Sequence, residues 1–233
     1  RTLPILALIG LSGLALRAQT GNKAAVQNSK HDFRAVSRAT IRSVSGQDVC
    51  VFCHTPHQAD PGTFLWNQKP STTQFPAYTS TTLQATVSPI QGQDVSKLCL
   101  SCHDGTIALG DTLNDGLIPF VQGTRYTLPP GSPSNLAGSK GFTDDHPFSF
   151  SPVLATEIRN PAIGDPVRLD NTGRLQCTSC HEPHQQNIDP TVGKFLVKNN
   201  QSSAICLTCH VKAGWLNSSH RLPQDPTDDL RYT

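Results

Sequence analysis

The chain is poor in the residues that build ordinary protein cores and charged surfaces. Of its 233 residues only 6% are aromatic and 15% are charged, and the formal net charge is +2. Such a balanced charge excludes a basic surface for nucleic acid or for an acidic membrane. The shortage of large apolar side chains excludes a large protein core. Methionine is absent, so no thioether can act as a metal ligand.

Long hydrophobic runs are also missing, which excludes a membrane span. The apolar stretch from Leu3 to Leu16 is too short to cross a bilayer but has the length of a secretion-signal core. We therefore expect residues 1–18 to be a truncated signal peptide, with a buried helix as the alternative. The remainder is expected to be secreted, and to act in the extracellular space or at the cell surface, with the periplasm as the alternative.

The eight cysteines, by contrast, follow one strict pattern. They form four copies of Cys-x-x-Cys-His, and no cysteine is left over. Two thiols at this spacing attach to the vinyl groups of a porphyrin, and the following histidine binds its iron. The sequence therefore predicts four covalently bound haem c groups. The predicted attachment cysteines are Cys50, Cys53, Cys99, Cys102, Cys177, Cys180, Cys206 and Cys209, and the predicted proximal ligands are His54, His103, His181 and His210.

Zinc and disulfides are the alternatives for paired cysteines. Two such pairs can hold a tetrahedral zinc ion, and adjacent pairs can form a disulfide framework. Neither arrangement needs a histidine at the fifth position. Since the chain has only 9 histidines, their presence after all four motifs is not expected by chance and favours haem.

Five histidines remain as candidate distal ligands. They are His31, His57, His146, His184 and His220. Because methionine is absent, six-coordinate irons would need these imidazoles, and one of the five is then spare or serves a neighbouring subunit. Two bound histidines leave no open position on an iron, so we expect an electron-transfer protein and not an enzyme. A hydrogen bond to a haem propionate is the alternative role for each.

The motif order occurs twice along the chain. Each half has a leading histidine, then Cys-x-x-Cys-His-x-Pro-His, then Cys-Leu-x-Cys-His. We expect two two-haem modules, at residues 19–126 and 142–233, joined by a Pro/Gly/Ser-rich linker at 127–141. A histidine three residues beyond its own motif has difficulty reaching over the same porphyrin, so His57 and His184 are expected to bind neighbouring haems.

The predicted fold is mostly irregular and loop-rich, with short α-helices wrapped around a stacked four-haem core. Helical turns begun by a serine cap are expected at 96–102 and 202–209, and short hairpins near 63–66 and 194–197. Aspartates beside the ligands either orient imidazoles or are solvated; they are Asp32, Asp104, Asp144 and Asp145. Aromatic rings are expected on porphyrin faces; they are Phe52, Trp66, Phe148, Phe150 and Trp215.

The combined ladder of motifs resembles the doubled Cys-x-x-Cys-His cytochromes and, among them, the extracellular tetrahaem cytochromes of the OmcE type. The resemblance rests on residues 29–33, 49–57, 98–106, 144–147 and 180–184 and extends roughly over residues 29–220. It implies a subunit with bis-histidine haems stacked in a chain that continues into the next subunit. It also implies head-to-tail polymerisation into a filament, with a histidine donated by a neighbour.

The leading functional hypothesis is an extracellular electron conduit that passes electrons among redox proteins or to extracellular acceptors. One alternative is a soluble periplasmic tetrahaem shuttle, which shares the cofactors but does not polymerise. The other is a multihaem reductase, which would need one haem with an open position and nearby proton donors.

Overall fold

The computed structural model describes residues 23–46, 48–61, 64–87, 89–90, 94–138, 141–185, 188–215 and 218. The expected signal peptide and His220 lie outside these residues, and the predictions about them stay predictions. Within them, the α-helices are α1 (Lys23–Val26) and α2 (Ser96–His103), and three 3-10 turns cover Cys177–Ser179, Gln201–Ser203 and Cys206–Thr208. None of these helices is long and apolar enough to cross a membrane. The prediction of a loop-rich fold with short helices is confirmed, whereas wrapping around haems stays a prediction.

The two predicted helical segments differ in outcome. Helix α2 confirms the turn expected at 96–102, but the serine cap is wrong: Val95 occupies the cap position, and the Ser96 hydroxyl instead donates to Gln176 Oε1 (2.5 Å). The segment 202–209 is divided into two 3-10 turns. Ser202 and Ser203 lie in the first of these turns with φ of 54° and 61°, and left-handed residues cannot continue a right-handed helix.

Both halves make the same backbone contacts around their first motif. The shared hydrogen bonds run from Thr55 N to Leu65 O (2.9 Å) and Asn67 N to Cys53 O (2.8 Å), and from Glu182 N to Phe195 O (2.8 Å) and Val197 N to Cys180 O (3.0 Å). The expected hairpins are present only as isolated bridges, His54 to Trp66 and His181 to Leu196. This repeated pattern is what a duplicated unit would produce, while the module boundaries stay a prediction.

The chain also builds small protein cores of its own. Phe52, Leu109, Ile118, Phe120 and Leu128 form one buried cluster. Within it the ring of Phe52 meets Phe120 nearly edge-on, with centroids 6.0 Å apart. The expectation that haem alone would form the core is therefore too strong for the first half, where aromatic side chains pack on one another. A second cluster contains Leu100, Phe142 and Phe148.

A buried polar group joins the two halves, and we call it the junction cluster: Asp94, Ser96, Ser149, Arg174 and Gln176. The Arg174 guanidinium pairs with the Asp94 carboxylate and donates to Ser149 O (2.6 Å). The Gln176 side chain, which is 1% exposed, accepts hydrogen bonds from the hydroxyls of Ser96 (2.5 Å) and Ser149 (3.2 Å). The cluster fixes α2 against the chain that leads into the third motif.

Candidate haem-ligand sites

Each Cys-x-x-Cys-His motif folds as one tight turn. The backbone N–H of the motif histidine donates to the carbonyl of the first cysteine in three motifs, at 2.8 Å for His54, 3.0 Å for His181 and 2.9 Å for His210. The second motif, which ends at His103, lies within α2. No two of the eight cysteines are joined by a disulfide, which speaks against the disulfide alternative. In the described part of the chain, no group of three or more His, Cys, Asp or Glu side chains is arranged to hold a metal ion by itself, as zinc would require.

Three pairs of imidazole rings lie at nearly the same separation. Each pair joins a motif histidine to a histidine from outside the motifs, and the centroid distances are 5.9 Å for His103 and His31, 6.0 Å for His54 and His184, and 6.2 Å for His210 and His146. No two motif histidines are paired in this way among the described residues. The pairing therefore follows the division into proximal and distal candidates made from the sequence.

The separations fit an iron ion between the two rings of each pair. A metal–nitrogen bond of about 2.0 Å and a further distance of about 1.1 Å to each ring centre place two opposed imidazoles about 6.2 Å apart. The observed range of 5.9 to 6.2 Å agrees with that value. The residues present thus fit haem, with two thiols in the same motif available for covalent attachment.

The partners follow the repeat. In each half, the leading histidine lies beside the second motif of that half: His31 beside His103, and His146 beside His210. The third pair is different, because His54 in the first half faces a histidine of the second half. This contact agrees with the expectation that a histidine three residues beyond its motif serves another haem.

His57 and His181 are left without an imidazole partner among the described residues. The side chain of His57 is exposed, and that of His181 is also exposed. The Nδ1–H of His181 donates to the carbonyl of Lys194 (2.7 Å), which orients its ring. The structure therefore brings together six of the eight described histidines.

Backbone carbonyls orient four of the eight described imidazoles. The Nδ1–H groups donate from His54 to Phe64 O (3.0 Å), from His103 to Ser134 O (2.7 Å), from His146 to Pro147 O (2.8 Å) and from His181 to Lys194 O (2.7 Å). A bond at Nδ1 fixes the tautomer and leaves Nε2 free as the ligand atom. Phe64 and Lys194 both have positive φ, of 43° and 52°, so the two halves present these carbonyls from the same unusual backbone.

The aspartates expected to orient imidazoles do something else. Asp32 is fully buried and accepts two hydrogen bonds from the Arg34 guanidinium (2.8 and 2.7 Å). Asp104 accepts hydrogen bonds from the backbone N–H and the hydroxyl of Thr106 (2.8 and 2.7 Å). Both expectations, orientation of an imidazole and a solvated carboxylate, are wrong for these two residues.

Aromatic contacts with the ligands were only partly anticipated. Trp66 meets the His54 ring edge-on at 5.8 Å, and its indole N–H donates to Ser101. Phe195, which sequence reasoning missed, stacks on His31 at 4.7 Å. Phe195 stands beside Leu196, in the segment of the second half that corresponds to the segment around Trp66 in the first half. That correspondence was the signal that could have identified it.

Burial lowers the pKa of four of these imidazoles and so favours the neutral form that iron ligation requires; they are His31, His54, His103 and His210. For His31, burial together with the nearby His103 and His181 lowers the pKa to about 4. The pKa of His184 is raised instead, because its Nδ1–H donates a hydrogen bond to the Glu182 carboxylate.

Comparison with known protein families agrees with the cysteine pattern. The family model described as "Doubled CXXCH motif" matches residues 171–214, which contain the third and fourth motifs. This is the signature of multihaem c-type cytochromes and indicates covalently bound haem c and electron transfer. A search of curated proteins found no match to the chain.

Proposed function

We propose that the protein is a tetrahaem c-type cytochrome subunit for extracellular electron transfer, with bis-histidine, low-spin haems in one continuous chain that polymerises into a filament. The observation that carries the proposal is the set of three imidazole pairs at 5.9 to 6.2 Å, each with one motif histidine. Haem, when bound, supplies one-electron chemistry, and the two histidines of a pair, if both held its iron, would leave no position for a substrate.

The motif thiols support a chain of haems in sequence order. Across the halves, the thiols of Cys99 and Cys177 are neighbours, and the nearby Cys177 raises the pKa of the Cys99 thiol. Within the first half, burial and the nearby Cys53 raise the pKa of the Cys102 thiol. In the second half, burial and the nearby Cys209 raise the pKa of Cys180 to about 11. Each motif therefore lies beside the next one along the chain.

The filament proposal is supported by the ligands left over. His54 takes its partner His184 from the module that follows it. The second module can take a ligand in the same way if the module that follows it belongs to the next copy of the chain. The partner of His181 is then His57 of that next copy. A head-to-tail contact of this kind does not close on itself and generates an open polymer. The exposure of both side chains is consistent with such a contact.

The first experiment measures haem content and spin state in the secreted protein. Mass spectrometry should give four haems per chain, and electron paramagnetic resonance (EPR) should give low-spin iron. In His184→Ala, one of the four haems should become high-spin, because the second ligand opposite His54 is removed. Unaltered spectra in this variant would contradict the assignment of His184.

The second experiment separates filament from shuttle. Sedimentation and negative-stain microscopy should find long polymers in the wild type, and His57→Ala should dissociate them with one haem per chain turned high-spin. His146→Ala is the matched control, because it also removes a distal ligand but one that stays within its own module. A stable wild-type monomer with four low-spin haems would reject the filament and favour the periplasmic shuttle.

The reductase remains a second candidate because His181 has no imidazole partner among the described residues. An iron bound there without a distal ligand would have the open position that substrate chemistry needs. A high-spin fraction of one haem in the wild-type protein, lost when cyanide or another strong ligand is added, would favour this function. Purely low-spin iron would reject it.

A further inference from the structure

Glu182 makes a direct contact with one of the candidate ligands, His184. Its Oε1 accepts a hydrogen bond from the Nδ1–H of His184 (2.8 Å) and another from the backbone N–H of His184 (3.1 Å). The other imidazole Nδ1–H groups with a recorded hydrogen bond donate to neutral backbone carbonyls. Among the imidazoles with such a hydrogen bond, His184 is thus the one whose Nδ1–H faces a negatively charged acceptor.

The repeat supplies an internal comparison for this contact. The backbone hydrogen bonds of the two halves place Thr55 where the second half has Glu182. The Thr55 hydroxyl donates to the backbone carbonyl of His57 (2.8 Å), and no hydrogen bond to the His57 ring occurs within the described residues. The two modules therefore share the geometry at this place but differ in whether a carboxylate meets the imidazole.

The carboxylate changes the imidazole as a ligand. A negative acceptor on Nδ1–H draws the proton toward itself and makes Nε2 a more basic donor to the metal. A more basic ligand stabilises ferric over ferrous iron and lowers the reduction potential. The opposite ring, His54, also has an acceptor on Nδ1, the carbonyl of Phe64 (3.0 Å). In the pair of His31 and His103, only His103 has such an acceptor among the described residues. His31 stacks on Phe195.

From this geometry we infer that Glu182 is a positioning residue which, through His184, lowers the reduction potential of the haem held between His54 and His184. The inference rests on the proposed function, because it requires a haem at that pair. The haem held between His54 and His184 would then have a lower reduction potential than the haem held between His31 and His103. An electron then passes downhill from the first haem of the first module to the second.

The test uses the full holoprotein with Glu182→Gln and Glu182→Thr, the latter placing the residue of the first half in the second. Spectroelectrochemical titration should show one of four reduction steps moving to higher potential, further in Glu182→Thr than in Glu182→Gln, with the other three unchanged. EPR should show a change in the g values of one low-spin haem. Glu157→Gln is the matched control, because it removes an exposed carboxylate that pairs with Lys212 and should move no step.

Three results would overturn the inference. Unshifted steps in both variants, with four low-spin haems retained, would reject the role of Glu182 and leave the proposed function standing. A high-spin haem in Glu182→Thr with an unshifted Glu182→Gln would mean that Glu182 only holds the ring in place. A wild-type protein without four low-spin haems would reject the proposed function, and the inference with it.

Discussion

Replacing Arg174 with methionine tests how much the junction cluster holds the two halves together. The Asp94 side chain is 6% exposed and that of Arg174 is 24% exposed, so the pair is largely out of water. Methionine keeps the length of the side chain but removes both the guanidinium charge that pairs with Asp94 and the hydrogen bond to Ser149 O (2.6 Å). The buried carboxylate is then left without the arginine.

Removing one partner of a buried ion pair costs about 3–5 kcal/mol, and the partial exposure of Arg174 places the expected loss near the lower end, about 3 kcal/mol. Urea denaturation of the holoprotein, followed by far-UV circular dichroism, measures it as a lower midpoint with an unchanged slope. Lys212→Met is the matched control. Its partner Glu157 is 50% exposed, so the loss should stay below about 1 kcal/mol.

A loss in Arg174→Met as small as that in Lys212→Met would refute the reasoning that the junction depends on this pair. The double variant Asp94→Leu with Arg174→Met gives an independent check. Replacing both charges with apolar groups removes the carboxylate that has lost its arginine, so the double variant should recover part of the stability lost in the single one. No recovery would mean that the loss comes from packing and not from the buried charge.

Three further predictions follow from single contacts. His146→Ala should turn one haem high-spin by removing the ring opposite His210, and an unaltered EPR spectrum would reject His146 as a ligand. Phe120→Ala should lower the free energy of unfolding in urea by about 3–5 kcal/mol, because it opens a cavity in a buried aromatic cluster; a loss under about 1 kcal/mol would contradict that packing. Hydrogen bonds from Arg34 lower the pKa of Asp32, so this stabilisation is present above about pH 4 and is lost as pH falls toward the folded pKa. Between pH 5 and pH 3 the unfolding free energy of Asp32→Asn should therefore decline less than that of the wild type, and equal slopes would contradict the role of the pair.

The local features of the site could be predicted from the sequence because they depend on neighbouring residues. The Cys-x-x-Cys-His spacing gave the tight turns, and the segment at 96–102 formed α2 as expected. The duplication predicted equivalent places for His31 and His146, and in the structure each lies beside the second motif of its own half, while their role as ligands stays a prediction.

The rest could not be predicted because it depends on contacts between distant parts of the chain. Arg174 and Asp94 are 80 residues apart, and neither belongs to a recognisable motif. The acceptors of the imidazoles are backbone carbonyls, which every residue has, so no residue type marks Phe64 or Lys194 for that role. Asp32 was expected to orient an imidazole because it lies next to His31 in the sequence, but its carboxylate instead accepts a hydrogen bond from Arg34.

The pairing of His54 with His184 also has a consequence for the order in which the protein matures. A chain that emerges from its amino-terminal end presents the first motif long before His184, which follows His54 by 130 positions. His103 lies after its partner His31, so that pair is complete as soon as the second motif has emerged. The first haem site to emerge therefore gains its second histidine only after most of the chain has emerged. Until then its iron would have an open position that foreign ligands could occupy. We expect prematurely truncated chains to accumulate with that one site unfinished.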